Sequence, residues 1–303
     1  MPDDGYRGRA TQPTRVFVLK MLRMLVTGAD GFTGVHFVKQ AREAGYDVFA
    51  FNADLTNPQA VQAQVDAAAP DVVVHLAGIS FVGHDKPSAF YEVNVIGTLN
   101  LLDALLKLPK PPKRVLLASS ANVYGNCEQS PISEMQAPAP LNHYAMSKLA
   151  MEHLAMTYAD RLPLFFVRPF NYTGPGQVES FVIPKIVSHF KRQATTVELG
   201  NLTVEREYND VRMVTDAYLK LLDQAAAGEI YNICSGKTYT LHQVIDALVE
   251  LTGHQMGIVV NPAFVRANEL HRLCGDVSKL HKTIGTHDPI ALQNTLRWML
   301  ESS

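Results

Sequence analysis

A chain of 303 residues, 47% apolar and 18% charged, carries enough hydrophobic material for a sizeable core and, by length, roughly two domains of about 150 residues. Its formal net charge of -2 provides no broad basic field for a polyanion, which argues against nucleic acid as a partner. Three scattered cysteines, Cys127, Cys234 and Cys274, lack C-x-x-C spacing and indicate neither a disulfide framework nor a zinc site, so a reducing cytoplasm is the expected location.

Residues 1–20 place arginines ahead of a short apolar run, in the manner of a targeting peptide, but Asp3 and Asp4 do not suit one. The apolar run also flows straight into RMLVTGADGFTG, whose strand cleavage would destroy, so a poorly ordered extension is expected, with Met21 or Met24 a more natural start. No run approaches the ~18 consecutive apolar residues that a bilayer crossing needs, and no membrane partner is expected.

From Arg23 short β-branched runs alternate with longer amphipathic stretches, the pattern of strand and helix units that build a parallel sheet. MLVTG reads as a buried strand, VHFVKQAREAG as a helix stopped at Gly45, and DVFAF as the second strand. PDVVVHLAG and KRVLLASS are further buried strands on either side of a helix in FYEVNVIGTLNLLDALLK. A helix from about Tyr144 to Ala159 precedes strand LPLFFVRPFN.

After Pro169 the rhythm breaks in the Gly- and Pro-rich NYTGPGQVESFVIP. EIYNICSG looks like a strand returning to the sheet, and TLHQVIDALVELTG like a helix capped by Thr240. The expected architecture is α/β: a Rossmann-type doubly wound parallel sheet over residues 21–170, with a returning segment at about 204–236. Residues 171–203 and 237–303 would form a smaller α/β substrate-binding lobe.

TGADGFTG lies between a strand and a helix, the context a dinucleotide motif requires. Gly28 allows the tight turn, Gly31 lets a pyrophosphate approach the backbone, and Gly34 lets helix and strand pack closely. Phe32 and Thr33 stand where the helix N-terminus offers unpaired N–H groups to the phosphates. No acid follows the second strand at the ribose position and no arginine replaces it, so NADH and NADPH both stay open, while Asp54, followed by Leu55, is placed to meet the adenine.

Tyr144 and Lys148 are four residues apart and so share one helix face. A nearby ammonium would lower a phenol from about 10 towards neutrality, which suits proton exchange with a hydroxyl or carbonyl. Most Tyr-x-x-x-Lys pairs are ordinary surface neighbours. Here the strand in KRVLLASS also puts Ser119 and Ser120 at a strand C-terminus, where the sites of open α/β sheets form. His75 in a buried strand and His143 before the tyrosine read as structural, and no His, Cys, Asp or Glu cluster has metal-ligand spacing.

With TGADGFTG, HLAG at His75 to Gly78, Asn94 in YEVN, SSANVYG, Tyr144 with Lys148, RPFN and YNICSG in order, the chain resembles the extended, sugar-nucleotide-modifying branch of the short-chain dehydrogenase/reductases from Arg23 onward. The resemblance implies that Tyr144 is the acid or base at the reacting oxygen. Lys148 would bind the nicotinamide ribose and tune the tyrosine, and Ser120 would hold the reacting oxygen. Ser120 is preferred to Ser119 because it stands three residues before Val123 of the V-Y-G signature. It further implies that Leu76, Ala77 and Gly78 line the cofactor and that Pro169 and Phe170 flank the nicotinamide.

Dehydratases of this branch carry Asp-Glu or a lone Glu in the two positions after the Ser or Thr. Ala121 and Asn122 stand there instead, which leaves ketone reduction, alcohol oxidation or 4-epimerisation. RPFNYTGPGQVESFVIP, REYNDV and VRANEL look most like the bacterial reductases that turn GDP-4-keto-6-deoxy-D-mannose into GDP-D-rhamnose. That likeness implies pyrophosphate contacts from Arg206 and Arg266, a ribose contact from Glu269, a phosphate or sugar contact from Asn171, a hexose contact from Ser80, and a homodimer packed through the Tyr144 helix and the one before it. Two departures stand out: Met213 where relatives usually carry Asp, and Glu207 for a common Asp. The alternatives are an NDP-sugar 4-epimerase that holds its NAD tightly and a non-catalytic NAD(P) sensor.

Overall fold

The computed structural model describes residues 21–80, 85–264, 271–286 and 289–302. The chain begins with β1 (Arg23–Thr27), α1 (Phe32–Glu43), β2 (Asp47–Phe51), α2 (Pro58–Ala68) and β3 (Val72–His75). Next come α3 (Pro87–Tyr91), a π-helical turn (Glu92–Ile96), α4 (Gly97–Leu106), β4 (Arg114–Ala118), α5 (His143–Met156) and β5 (Leu164–Pro169). β6 (Tyr172–Thr173), α6 (Val182–Lys191), β7 (Thr196–Leu199), β8 (Glu205–Arg206), β9 (Asn209–Asp210), α7 (Val211–Gln224) and β10 (Ile230–Ile233) follow. The described chain closes with α8 (Leu241–Thr252), β11 (Gly257–Val260), β12 (Arg272–Leu273), α9 (Ser278–Ile284) and α10 (Leu292–Glu301).

Six strands form one parallel sheet in the order β10-β5-β4-β3-β1-β2. Helices cover both faces, so the strands read as continuous apolar runs rather than as alternating ones. The period of two still sorts them: Met24 and Val26 of β1 face Phe37 and Ala41 of α1 and Val214, Ala217 and Leu221 of α7. Leu25 faces the other way, towards Val61 and Val65 of α2, Leu101 and Leu105 of α4, and Met151 of α5.

The chain first winds outward from β1 to β2, then crosses to β3 on the other side of β1. That reversal opens a crevice at the carboxyl ends of β1 and β3, the place where ligands of such sheets bind. The expected returning strand is β10, which pairs with β5 from Ile230↔Phe166 to Ile233↔Pro169. A separate core gathers α6, α8 and α10 around Ile183, Phe190, Val244, Leu248 and Leu296, beside the parallel pair of β7 and β11. Thr240 caps α8 through a full capping box with Gln243, as its sequence position predicts.

The expected single helix in FYEVNVIGTLNLLDALLK runs unbroken over Pro87–Leu106, long and apolar enough to cross a membrane by length and composition, although much of its apolar stretch is buried inside the protein. Leu101, Leu102 and Leu105 account for that character, since all three are fully buried against the sheet and α2. Its π-helical turn inserts an extra residue where Asn94 enters the interior. The helix bearing Tyr144 ends at Met156, three residues short of the expected Ala159, and continues as turns.

Candidate active site

Backbone demands, rather than side chains, define the cradle after β1. Gly28 adopts φ +66, and a Cβ there would stand 2.8 Å from the Ala77 nitrogen. A Cβ on Gly34 would lie 1.9 Å from the Gly28 oxygen, so helix and turn meet in a way no other residue permits. Gly31 is the N-cap of α1 and offers no side-chain hydrogen bond, which leaves the N–H groups at Phe32 and Thr33 facing outward from the positive end of the helix. Leu76 and Ala77 close the opposite wall through bonds to Thr27, from the Leu76 N–H to the carbonyl (3.2 Å) and from the Ala77 N–H to Oγ1 (3.1 Å).

Gly78 joins this cradle to the reactive side chains: a Cβ there would sit 2.8 Å from Asn94 Oδ1 and 3.1 Å from Lys148 Nζ. Asp54 is exposed and its Oδ1 accepts from the Thr56 N–H and hydroxyl, both at 2.8 Å, which holds its carboxyl below the usual range. Leu55 is buried in the core, its carbonyl accepting from Asn100. Pro169 ends β5 partly exposed, whereas the Phe170 ring turns inward, 1% exposed, beside Tyr124 and Cys234. The side chain of Phe170 is thus part of a small buried cluster at the end of β5.

α5 delivers Tyr144, Lys148 and Glu152 at successive turns of one face, its start fixed by Asn142 accepting from the Ala145 N–H at 2.9 Å. Burial pushes the Tyr144 phenol up to about 12, and a hydrogen bond with Ser120 acts in the opposite direction. Lys148 donates to the Ala118 carbonyl at 2.8 Å, and burial lowers it to about 8 despite Glu152 nearby. Lys148 Nζ is thus engaged with β4, and loss of hydration is the largest influence on the buried phenol.

Ser120 caps a short 3-10 turn (Ala121–Tyr124), its Oγ accepting from the Asn122 N–H at 3.2 Å. Ser119 is also buried, but its Oγ has no hydrogen-bond partner. Of the two serines, Ser120 is the one that meets Tyr144.

A buried chain of hydrogen bonds underlies this group. The Thr98 hydroxyl donates to the Asn94 carbonyl (2.8 Å), so it accepts from His75 Nε2 (2.9 Å), and His75 Nδ1 accepts from the Thr27 hydroxyl (2.7 Å). His75 is thus a neutral Nε2–H tautomer, and burial together with the Lys148 charge lowers it to about 3. Asn94 clamps both backbone groups of Ile79 and donates to Ser147, which donates to the Tyr144 carbonyl.

Ser80 and Asn171 are exposed, and the Asn171 carbonyl accepts from the Asn209 N–H. Arg206 exchanges backbone bonds with Tyr239 at 3.0 and 2.8 Å, and its guanidinium donates to the Glu205 carbonyl. Arg266 and Glu269 lie outside the described residues. Glu207 is 1% exposed and accepts from the Gly275 and Ser235 N–H groups, both at 2.7 Å, and from Asn209. Met213 is buried between α7 and the sheet core. Tyr172, beside Asn171, contacts the first turn of α1, a placement that no spacing rule announces.

A crevice of this topology, with a glycine cradle and a Tyr, Lys and Ser cluster at its edge, defines an extended short-chain dehydrogenase/reductase. The chain belongs to the GDP-mannose 4,6 dehydratase family, whose model matches residues 48–299. It is 39% identical to the GDP-6-deoxy-D-talose 4-dehydrogenase of Aggregatibacter actinomycetemcomitans, over 87% of this chain and 92% of that protein. It is 35% identical to the GDP-6-deoxy-D-mannose reductase of Pseudomonas aeruginosa, over 92% of this chain and 96% of that protein. The structure of RMD from Pseudomonas aeruginosa complexed with NADPH is similar at a TM-score of 0.85 and 34% identity, over 92% of this chain and 98% of the other.

Proposed function

We propose that the protein reduces the C4 ketone of a GDP-4-keto-6-deoxy-hexose with NADPH or NADH, giving GDP-D-rhamnose from the D-mannose-derived ketone. The observation that carries this reading is that Tyr144 meets Ser120 while Lys148, one turn further along the same helix as Tyr144, packs on Gly78. The glycine cradle fits a dinucleotide because Gly28, Gly34 and Gly78 leave bare backbone where any side chain would collide. When bound, the reduced nicotinamide supplies the hydride. Ser120 holds the carbonyl oxygen, Tyr144 gives that oxygen its proton, and Lys148 carries positive charge to the same edge of the crevice. Asn171, Ser80 and Arg206, with Arg266 and Glu269, hold the sugar nucleotide.

Family membership does not make the protein a dehydratase. Ala121 is buried and Asn122 bonds Ser120, so neither supplies a carboxyl for water elimination. The similarity to a talose 4-dehydrogenase supports a second product, GDP-6-deoxy-D-talose, from hydride arriving at the opposite face of C4. NADPH absorbance during incubation with GDP-4-keto-6-deoxy-D-mannose tests the reaction, and NMR of the product distinguishes the two C4 configurations. Unchanged absorbance would sink the reductase, and turnover without added cofactor would mark a 4-epimerase. Tyr144→Phe should lower kcat by about 10²- to 10⁴-fold.

A homodimer through α4 and α5 is part of this reading, and exposed apolar side chains at Ile96, just before α4, and at Met146 and Met156 of α5 (46%, 42% and 45% exposed) support it. Ile96→Glu combined with Met146→Glu should yield a monomer in sedimentation. Three buried free thiols suit a reducing cytoplasm.

A further inference from the structure

The strand β6 sends one side chain across to the dinucleotide cradle. Tyr172 lies 139 residues beyond Thr33, yet its hydroxyl is 2.7 Å from Thr33 Oγ1 and its ring stacks over Phe32 at 5.9 Å with an interplanar angle of 16°. Phe32 and Thr33 are the first two residues of α1, where helical N–H groups have no backbone partner. Phe32 also meets His36 edge to face, and His36 in turn packs on Trp298 and bonds the Pro175 carbonyl.

Two hydroxyls bring two protons, and the bond between them uses one. Whichever oxygen donates, the other keeps its own O–H, and neither has another hydrogen-bond partner among the described residues. Burial raises the Tyr172 phenol above its ordinary value, so both protons remain at neutral pH. Tyr172 is also near enough to Tyr144 to oppose that phenol's ionisation.

We propose that Tyr172 and Thr33 act as one clasp, donating their spare O–H to the pyrophosphate of the bound dinucleotide and making the second lobe a direct part of the cofactor site. The proposal rests on the dinucleotide reading of the Gly28 to Gly34 loop. A donor of this kind is strongest towards an anion, and its loss weakens binding by about tenfold or more.

Tyr172→Phe keeps the stacked ring and removes one hydroxyl, Thr33→Val removes the other, and the double variant removes both. Fluorescence titration should show NADPH Kd raised about tenfold in each single variant and little further in the double, because the two hydroxyls form one unit. Affinity for adenosine, which lacks the pyrophosphate, should stay within about twofold of wild type. An unchanged NADPH Kd in both single variants would overturn the clasp, as would a parallel loss of adenosine affinity, which marks a clasp that only shapes the loop. Wild-type protein that binds neither NADPH nor NADH would overturn the dinucleotide reading itself, before any variant is made. Wild-type protein that binds NADPH without reducing the keto sugar would remove only the proposed reaction, and the Kd comparison would still decide the clasp.

Discussion

Lys148 is a base that the fold makes costly to charge. Burial lowers it from 10.5 to about 8, so below pH 8 folded and unfolded chains both carry the proton and the folded state bears the full cost of a buried ammonium. As pH rises from about 8 to 10.5 the folded protein releases the proton first, the unfolded chain binds more protons, and this residue's contribution to stability improves. Lys148→Met removes the charge in both states. The stability advantage of that variant over wild type should therefore shrink by on the order of 3 kcal/mol across this window. Urea melts at the two ends measure it, and a gap that holds constant with pH contradicts the burial account. That Tyr144 and Lys148 share a helix face and that Ser119 and Ser120 end a strand was legible from spacing, whereas the preference for Ser120 came from the resemblance. The direction of Nζ was not, since it depends on the Ala118 carbonyl thirty residues away.

α5 is held at its working height by a buried ion pair one turn beyond Lys148. Glu152 accepts both Arg168 Nε (2.9 Å) and Nη2 (2.6 Å), and the guanidinium carbon lies 4.8 Å from the centre of the Tyr124 ring. Both residues are less than 5% exposed, so neither charge has water to fall back on. Glu152→Ala should destabilise the protein by about 3–5 kcal/mol, because it strands the Arg168 guanidinium in the interior. Glu152→Ala combined with Arg168→Met should recover much of that loss. Chemical denaturation of the single and double variants checks both, and a double variant no better than the single would show that the pair itself, not the stranded charge, sets the cost. Elements such as α8 were legible because their apolar periodicity spans several turns, and β3 because Val72, Val73 and Val74 form a continuous β-branched run. β6, β8, β9 and β12 are two residues each and carry no period to read; they exist because tertiary contacts bring their backbones together.

At the scale of the molecule, the order of the sheet places the crevice, and a single carboxylate ties the far wall to it. Glu207 links β8 to β9, the Ser235 N–H just past β10 and the Gly275 N–H past β12, segments 28 and 68 residues away in sequence. A doubly wound parallel sheet was legible from alternating strands and helices, but its strand order emerges only when the strands pair. The hub at Glu207 was visible only as a departure from the usual Asp, because its partners come together solely in the fold. Burial raises Glu207, while four donors, counting the Asn209 amide and the Ser235 hydroxyl, favour its charged form. Glu207→Gln turns one accepting oxygen into a donor facing donors, and should cost about 3 kcal/mol of stability. Arg206, proposed to hold the sugar nucleotide, adjoins this hub, so on that proposal the same substitution should raise KM for the sugar nucleotide more than it lowers kcat and leave Tyr144 in place. Glu207→Asp keeps the charge and shortens the reach by one methylene, and should fall between Glu207→Gln and wild type in both measurements. Urea melts with steady-state kinetics on the three proteins read the ranking, and a Glu207→Gln protein with wild-type stability and KM would show that the wall stands without its carboxylate.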